Sequence, residues 1–426
     1  MSEQLTKRDA KRLKIVVIAL LPLLLPALDT VLALAFGWRP RAFNLKLIAV
    51  GLVALPPGAA LMTYLLRHHL ARYWTRVLLC SLVFFGGSLI AEGVLKASRQ
   101  PTRFHLFPPN LDWQLEPKNL RGVSGLTVFS TNSLGVRAAE LPKPSVPRVW
   151  CVGGSTTECL YLDDKETWPA LLEKRLSTPS RPLWIGNAGR SGYSSVEHAH
   201  FLETSPLLRS GDLVLLLVGI NDLQHFCFAK RSPADYASAF VSRRPLWQRS
   251  ASYDLLRFVS LSWKQPTQDS QASFYASLRA RRSQATAMNM APPLETAAAS
   301  YRERLRRIVS TCKRRRLRLL VLSQPVLWRE DLPPEECALL WFGGAADGTY
   351  YSAEAMAKGM AAFNRVLLEV AEEADAPVID IARRLNGRPE YFYDDCHFTE
   401  AGAAAVASEL APVVGPLLAN EPLKGN

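Results

Sequence analysis

Short apolar segments alternate with longer amphipathic segments from residue 147 onward. The short segments are apolar throughout, as in DLVLLLV at 212–218. Strands with two apolar faces are typical of parallel sheets that helices cover on both sides. The pattern therefore predicts an α/β fold, a three-layer α/β/α sandwich with a mainly parallel sheet. The predicted strands cover 148–152, 182–187, 212–218, 317–323 and 377–380, and the predicted helices cover 167–176, 195–203, 297–313, 354–373 and 400–418.

Three long apolar runs occupy most of the first hundred residues, at 14–36, 45–66 and 77–95. Each is close to the roughly 20 residues that cross a bilayer as a helix. The N-terminal segment and the loop between the second and third runs are rich in Lys and Arg, which favour the cytoplasmic side. We therefore expect a multi-pass protein of a bacterial inner membrane, with the residues after about 96 facing the periplasm or the cell exterior.

The composition changes twice along the chain, which suggests three regions. Residues 1–97 are expected to form an α-helical transmembrane region of three helices in contact with the lipid bilayer. Residues 98–146 are rich in proline and polar groups, and we expect them to form a lead-in segment with one short hairpin. Residues 147–426 are expected to form the α/β domain, with a polar insertion at about 230–295.

The formal net charge of +13 invites the hypothesis of a nucleic-acid partner. The basic residues are scattered, however, and form one dense cluster only, at 312–318 (CKRRRLR). We therefore expect no nucleic-acid partner. The cluster is either a solvated helix end, where cations are favourable, or a contact for anionic lipid head groups or an acidic polymer.

The seven cysteines form neither a CxxC pair nor a zinc spacing with histidine. Their odd number and loose spacing argue against a disulfide framework. One bridge is left open if the domain faces an oxidising compartment. Its candidate residues are Cys159, Cys227, Cys312, Cys337 and Cys396.

Three histidines, His198, His200 and His225, raise the question of a metal site. The first two lie two positions apart in a predicted helix, where such side chains point apart. No carboxylate or cysteine completes a tetrahedral set. We therefore expect neither a metal nor a cofactor.

Polar and glycine-rich segments follow three of the predicted strands, where an open α/β sheet collects reactive groups. They are 153–156 (GGST), 187–192 (NAGRSG) and 219–222 (GIND), and a fourth segment, 394–397 (DDCH), follows the last predicted strand. Each has an ordinary alternative when it is taken alone: a turn, a phosphate loop that lacks the P-loop lysine, a helix cap or a surface histidine.

Together and in this order, the four segments resemble the SGNH hydrolases, the superfamily that includes GDSL esterases and lipases, over residues 130–417. Segment 131–137 (TNSLGVR) also resembles one that precedes the serine block in membrane-linked bacterial members. One departure is that Gly154 and Thr156 stand where the GDSL signature has Asp and Leu. The resemblance implies an SGNH/flavodoxin-like sandwich with serine esterase activity.

The resemblance implies a catalytic role for Ser155 as nucleophile, His397 as base and Asp394 as the acid that orients the imidazole. A serine hydroxyl is a poor nucleophile until a base takes its proton. The ordinary pKa of histidine suits proton transfer in both directions. Asp395 is the rival for the acid.

The resemblance also implies an oxyanion hole made of the backbone N–H groups of Ser155 and Gly192 and the side-chain amide of Asn221. Such donors stabilise the charge that develops on the carbonyl oxygen of an ester. Gly189 is the rival for the glycine, and a helix cap is the ordinary alternative for Asn221.

Trp328 and Trp341 flank a loop that follows the predicted strand 317–323. They either line a pocket for an acyl group or a sugar, or serve aromatic packing.

These observations predict a membrane-anchored extracytoplasmic serine esterase that cleaves an acetyl or short-chain ester through an acyl-Ser155 intermediate. The expected substrate is an acylated envelope polysaccharide or a lipid. One alternative is an O-acyltransferase that modifies an envelope polysaccharide and takes its donor from a membrane protein partner. Another is a non-catalytic carbohydrate-binding or scaffold protein of the envelope.

Overall fold

The computed structural model describes residues 106–117, 120–228, 268–289, 294–345 and 348–419, together with Gly87. The predicted membrane spans at 14–36, 45–66 and 77–95 lie outside the described residues, except for Gly87. Much of the predicted insertion, from 229 to 267, lies outside them as well.

A five-stranded parallel sheet forms the centre of the described domain. Its strands are buried along almost their whole length, except for the edge strand Val378–Ile379, and this burial explains why their sequences are continuously apolar. The spatial order is β4-β3-β5-β7-β9. The strands of the chain are β1 (Asp112–Leu115), β2 (Thr127–Ser130), β3 (Arg148–Gly153), β4 (Trp184–Asn187), β5 (Leu213–Leu217), β6 (Ala287–Met288), β7 (Arg318–Leu322), β8 (Tyr350–Tyr351) and β9 (Val378–Ile379).

The helices separate into two packed groups. The C-terminal helix packs on the helix after β3, while the helices after β4, β5 and β8 pack with the long helix before β7. The predicted three-layer α/β/α sandwich is thus confirmed. The helices are α1 (Ser155–Glu158), α2 (Trp168–Leu176), α3 (Ser195–Thr204), α4 (Ile220–Phe228), α5 (Gln268–Gln284), α6 (Glu295–Arg314), α7 (Pro334–Cys337), α8 (Ala353–Glu373), α9 (Ala382–Leu385) and α10 (Glu400–Ala419).

The chain direction across the sheet reverses between β3 and β5. The first connection runs outward from β3 to β4, and the second returns past β3 to β5. In open α/β sheets, such a reversal leaves a crevice at the carboxyl ends of the two strands, where ligands bind. The segments that follow β3 and β5 therefore meet at one edge of the sheet.

The lead-in segment contributes an antiparallel ladder of β1 and β2. Arg137, which follows this ladder, is buried, and its guanidinium lies over the ring of Phe129. It donates to the carbonyls of Glu158 and Cys159 at 2.8 Å each and pairs with Asp164 at 2.6 Å. Segment 131–137 therefore anchors the end of α1, the helix that begins at Ser155.

The basic cluster at 312–318 caps helix ends. Arg315 donates to the carbonyls of Leu202 and Ser205 at the end of α3. Lys313 donates to a carbonyl just after α8, and Arg318 donates to one in the last turn of α10. Cations at helix C-termini are favourable because they meet unpaired carbonyls. These contacts favour the helix-end interpretation of the cluster.

The described cysteines are all free thiols, so the structure shows no bridge among the five candidates. All of them are buried except Cys337. Burial raises the pKa of Cys159, Cys227 and Cys312 to about 12. These buried thiols behave as small apolar side chains.

Helix α10 is the single helix, within the part of the chain that the structure describes, whose length and apolar composition would let it cross a membrane. One face of it is buried in the domain core, through residues such as Val406, Leu410 and Val414. This burial accounts for its apolar composition.

Candidate active site

Ser155 stands at the carboxyl end of β3, at the first position of the short helix α1. Glycines precede it because the backbone is crowded there. A Cβ at Gly154 would lie 2.5 Å from the side-chain nitrogen of Asn221, and one at Gly153 would overlap Thr157. The Gly-Gly-Ser sequence thus lets the end of β5 approach Ser155 closely.

The hydroxyl of Ser155 meets the imidazole of His397. The distance from Nε2 of His397 to Oγ of Ser155 is 2.7 Å. On its other side, Nδ1 of His397 lies 2.7 Å from Oδ2 of Asp394. The structure therefore brings together the three residues that the sequence nominates as nucleophile, base and acid.

A tight loop fixes the positions of Asp394 and His397 relative to each other. An antiparallel bridge joins Phe392 to Phe398 and closes the loop between them. Within it, Oδ1 of Asp394 accepts the backbone N–H groups of Cys396 at 3.0 Å and His397 at 2.9 Å. An aspartate that bonds the backbone two residues on is typical of a turn. The spacing Asp-x-x-His thus has a local structural cause.

Asp394 and His397 each stabilise the charged form of the other. Burial alone would raise the pKa of Asp394, but the charge of His397 and hydrogen bonds from His397 and Trp341 lower it below its ordinary value. Burial alone would lower the pKa of His397, but the charge of Asp394 and their hydrogen bond raise it. The site therefore favours a base that accepts a proton readily.

The carboxylate of Asp395, the rival acid, has other partners. Its Oδ1 accepts the indole N–H of Trp328 at 2.7 Å, and its Oδ2 accepts the backbone N–H of Trp341 at 2.7 Å. The indole N–H of Trp341 in turn donates to Asp394 at 3.0 Å. Both tryptophans therefore bind the acidic pair, a role that the sequence did not indicate.

The three candidate oxyanion donors lie in segments that contact one another, since the amide of Asn221 lies against Gly154 and bonds Tyr193, the neighbour of Gly192. Asn221 starts α4 beside β5, and its amide nitrogen donates to the carbonyl of Tyr193 at 2.8 Å, which leaves one amide hydrogen for a ligand. Gly192, next to Tyr193, has a φ of +79° and open space where a side chain would stand. Among the described residues, no hydrogen bond occupies the backbone N–H of Ser155 or Gly192.

Gly189 is unsuited to the oxyanion role. Its N–H donates to Oδ1 of Asn187 at 2.9 Å. A Cβ there would overlap the backbone nitrogen of Glu158, so close packing against α1 requires glycine. The geometry thus favours Gly192 over its rival.

Aromatic rings surround the base; the sequence indicated a pocket or packing role for Trp341 but none for the tyrosines. The rings of Tyr393 and Trp341 lie within 8–10° of parallel to the imidazole of His397, with centroids at 5.5 Å and 6.3 Å. Tyr275, from α5, packs edge-on against Trp341 at 5.6 Å and against Tyr161 at 6.0 Å. Helix α5 of the predicted insertion therefore contributes to the wall of the site.

Glu158 is a buried acid next to the site, and the sequence did not indicate a role for it. It accepts the backbone N–H of Ser191 in the glycine-rich loop. Burial raises the pKa of Glu158, and the nearby charge of Arg190 opposes this shift. Glu158 thus ties the end of α1 to the loop that carries Gly192.

The three histidines His198, His200 and His225 do not form a metal-binding group among the described residues. His198 is buried, its Nε2 lacks a hydrogen-bond partner, and burial lowers its pKa to about 4. Within the same part of the chain, the one group whose ligand atoms lie within 4.8 Å of one another is Asp394, Cys396 and His397. Its imidazole and carboxylate are already paired with each other.

Comparison with known proteins gives a family match and several structural similarities. The model of the GDSL-like Lipase/Acylhydrolase family matches residues 151–405. The comparison with curated proteins finds no match. The matched range contains all four segments that follow the predicted strands.

The chain is similar to three solved structures of low sequence identity. LAE5, an α/β hydrolase enzyme from the metagenome of Lake Arreo, Spain, has 16% identity and a TM-score of 0.36, covering 63% of this chain and 95% of its own. Axe2, an acetylxylan esterase from Geobacillus stearothermophilus, has 15% identity and a TM-score of 0.36, covering 63% and 94%. TesA has 17% identity and a TM-score of 0.37, covering 63% and 99%.

Proposed function

We propose that Ser155, His397 and Asp394 are the catalytic residues of this chain. The chain belongs to the GDSL-like lipase/acylhydrolase family and is therefore a serine hydrolase that acts on esters. The observation that carries the proposal is the continuous hydrogen-bonded chain from Oγ of Ser155 through the imidazole to Asp394.

In the acylation step, Oγ of Ser155 attacks the ester carbonyl while Nε2 of His397 takes its proton. Asp394 stabilises the imidazolium that forms. The new negative charge on the carbonyl oxygen is held by the N–H groups of Ser155 and Gly192 and the amide of Asn221. The imidazolium then gives its proton to the leaving alcohol as the carbon–oxygen bond breaks.

In the deacylation step, His397 takes a proton from water, and the resulting hydroxide attacks the acyl-Ser155 ester. The same donors hold the oxyanion again. Collapse of this intermediate releases the carboxylic acid and returns the proton to Oγ of Ser155. The residues thus complete a full cycle without any further group.

We further propose that the enzyme is anchored in the membrane and acts outside the cytoplasm. Its substrate in this proposal is an acetyl or short-chain ester of an envelope polysaccharide or a lipid. The three apolar runs in the first hundred residues support the anchor. The basic residues of the N-terminal segment and of the loop between the second and third runs support the orientation, although the first loop also carries Arg39, Arg41 and Lys46. An anchored domain would keep its site close to the envelope.

The test of the triad uses the full-length chain purified in detergent. Hydrolysis of p-nitrophenyl acetate, butyrate and octanoate is followed for wild type, Ser155→Ala and His397→Ala. We expect both variants to lose at least about 10³-fold in kcat. Ser408→Ala and His200→Ala, on α10 and α3, are the matched controls. Activity that survives both site substitutions would place the chemistry elsewhere.

The orientation is tested through Cys337, which is exposed on α7. A membrane-impermeant maleimide added to spheroplasts of cells that express the chain should label the wild type and not Cys337→Ser. Labelling that requires disruption of the membrane would show that the domain faces the cytoplasm.

A further inference from the structure

Asp395 is a buried acid that the proposed reaction does not use, although it stands next to the catalytic acid. Both of its oxygens are occupied by donors from one stretch of chain. Oδ1 accepts the indole N–H of Trp328, and Oδ2 accepts the backbone N–H groups of Trp341 at 2.7 Å and Phe342 at 3.2 Å. A carboxylate with this many converging donors fixes the backbone that carries them.

Trp341 links this fixed backbone to the triad. Its indole N–H donates to Oδ2 of Asp394 at 3.0 Å, and that oxygen also faces Nδ1 of His397. The indole ring is tilted only 8° from the imidazole plane. A shift of the 341–342 backbone would therefore move both a donor to the acid and a ring that lies along the base.

Helix α5 holds the same stretch from the other side. Arg282 donates to the carbonyls of Phe342 and Tyr351, and Arg279 donates to the carbonyl of Leu339 at 3.2 Å. The guanidinium of Arg282 also attracts the charge of Asp395. The loop is thus held by a buried acid and a half-buried cation.

We propose that Asp395 is a positioning residue for ester cleavage: its carboxylate fixes the 341–342 backbone, through which Trp341 orients Asp394 and His397. This inference rests on the proposed catalytic roles of Asp394 and His397. It assigns the second acid of the segment DDCH a function distinct from that of the first.

The carboxylate of Asp395 also acts on the base through its charge. The groups facing Asp395 are Asp394, Cys396 and His397 in its own loop and Arg282 on α5. Burial and the charge of Asp394 raise the pKa of Asp395 to about 6, and the charge of Arg282 opposes this shift. The charges that raise the pKa of His397 are those of Asp394, of Asp395 and of Glu158 on α1. Removal of the charge of Asp395 should lower the pKa of the base.

The first test compares Asp395→Asn with Asp212→Asn in the full-length chain. Asp212 is a matched control because it is also buried and accepts an indole N–H, from Trp150 at 3.0 Å, but at the opposite end of the sheet. For Asp395→Asn we expect kcat for p-nitrophenyl acetate to fall about 10- to 100-fold, as a small misplacement of reacting groups does. The acid limb of the kcat/KM profile should move to lower pH. Asp212→Asn should leave the limb in place.

A fluorophosphonate probe that labels Ser155 gives the fraction of active protein, so each kcat refers to folded sites. If Asp395→Asn does not fold, Trp341→Phe tests the inference in its place. This variant keeps an aromatic ring and removes the indole N–H that donates to Asp394. We expect it to lower kcat at least about fivefold. A wild-type kcat in Trp341→Phe, or an unchanged kcat and acid limb in folded Asp395→Asn, would overturn the inference.

The outcome for Ser155→Ala separates this inference from the proposed function. If Ser155→Ala retains esterase activity, the triad itself is wrong. If Ser155→Ala is inactive and Asp395→Asn matches wild type, the triad stands and the positioning role of Asp395 is wrong.

Discussion

Nε2 of His397 lies 2.7 Å from Oγ of Ser155, although 242 positions of sequence separate the two residues. The serine arrives at the end of β3, and the histidine arrives in the loop before α10. Their contact depends on the sheet, on the tight turn of Asp394 and on the crevice between β3 and β5. Each of these supports makes a prediction that experiment can check.

The amide of Asn221 should be needed for the chemical step. We expect Asn221→Ala and the isosteric Asn221→Asp to lower kcat for p-nitrophenyl acetate about 10²- to 10³-fold, because each loses an oxyanion donor. KM should change little, since a donor aimed at the developing charge acts mainly in the transition state. Steady-state kinetics on both variants check this, and a wild-type kcat in Asn221→Asp would contradict it.

The two glycines of the 187–192 segment should respond differently to alanine. Gly189→Ala overlaps the backbone of α1, so we expect it to lower the free energy of unfolding by about 1–3 kcal/mol. Gly192→Ala meets open space, but its φ of +79° costs a side chain about 1–2 kcal/mol or shifts the loop. Gly192→Ala should therefore fold and lose activity. Urea unfolding by tryptophan fluorescence, with kcat on the folded protein, tests the contrast.

The pH profile should report the base. Burial opposes protonation, but the charge of Asp394 and its hydrogen bond raise the pKa of His397 above its ordinary 6.5. Since only the neutral imidazole takes the proton of Ser155, kcat/KM should rise with pH through a midpoint above 6.5. Asp394→Asn should move that midpoint to lower pH and reduce kcat up to about 10⁴-fold. An unchanged midpoint in Asp394→Asn would contradict the assignment.

The raised pKa of His397 also makes the stability of the fold depend on pH. The folded-state pKa of His397 exceeds the unfolded value, so the protonated imidazole stabilises the fold. That contribution is fully present below about pH 6.5 and is lost as the pH rises through the folded-state pKa. His397→Gln should flatten this part of the stability curve, which urea titrations between pH 6 and pH 9 measure.

Arg137 should be needed for folding. Its side chain is 3% exposed. The guanidinium donates to two carbonyls at the end of α1 and pairs with Asp164. We expect Arg137→Lys to lower the free energy of unfolding by about 3 kcal/mol, because a single ammonium leaves buried acceptors unpaired. Arg307→Lys is the control: Arg307 is 61% exposed and pairs with Glu203, so it should cost under about 1 kcal/mol. Equal losses in the two variants would contradict the anchoring role.

The sheet was predictable from the sequence because its signals are local, whereas the residues of the proposed triad were expected from the resemblance of four short segments to a known family. The segment DLVLLLV is short and continuously apolar, which favours a strand buried on both faces, and β5 occupies Leu213–Leu217 within it. The polar segments after β3 and β5 had to meet once the strands were parallel. The spacing of Asp394 and His397 is set by one turn of backbone.

The supports of the triad were not predictable, because they depend on side chains that meet only in the folded domain. Nothing near Trp341 in the sequence indicates that its indole N–H reaches Asp394, 53 positions away. Tyr275 lies in a polar helix with no strong apolar pattern, yet it packs on Trp341. Arg137 acts on carbonyls more than twenty positions away. Long-range contacts of this kind leave no periodic signature.

The position of the base in the chain also sets the order in which function appears during synthesis. Ser155 leaves the ribosome 242 positions before His397, an interval on the order of 10–50 s at roughly 5–20 residues per second. Throughout that interval the nascent chain carries a serine without a base. The loop that holds His397 is held in turn by α10, whose buried face docks on α2. With His397 as the proposed base, we expect hydrolytic activity to begin only after α10 has been translated and has packed on α2.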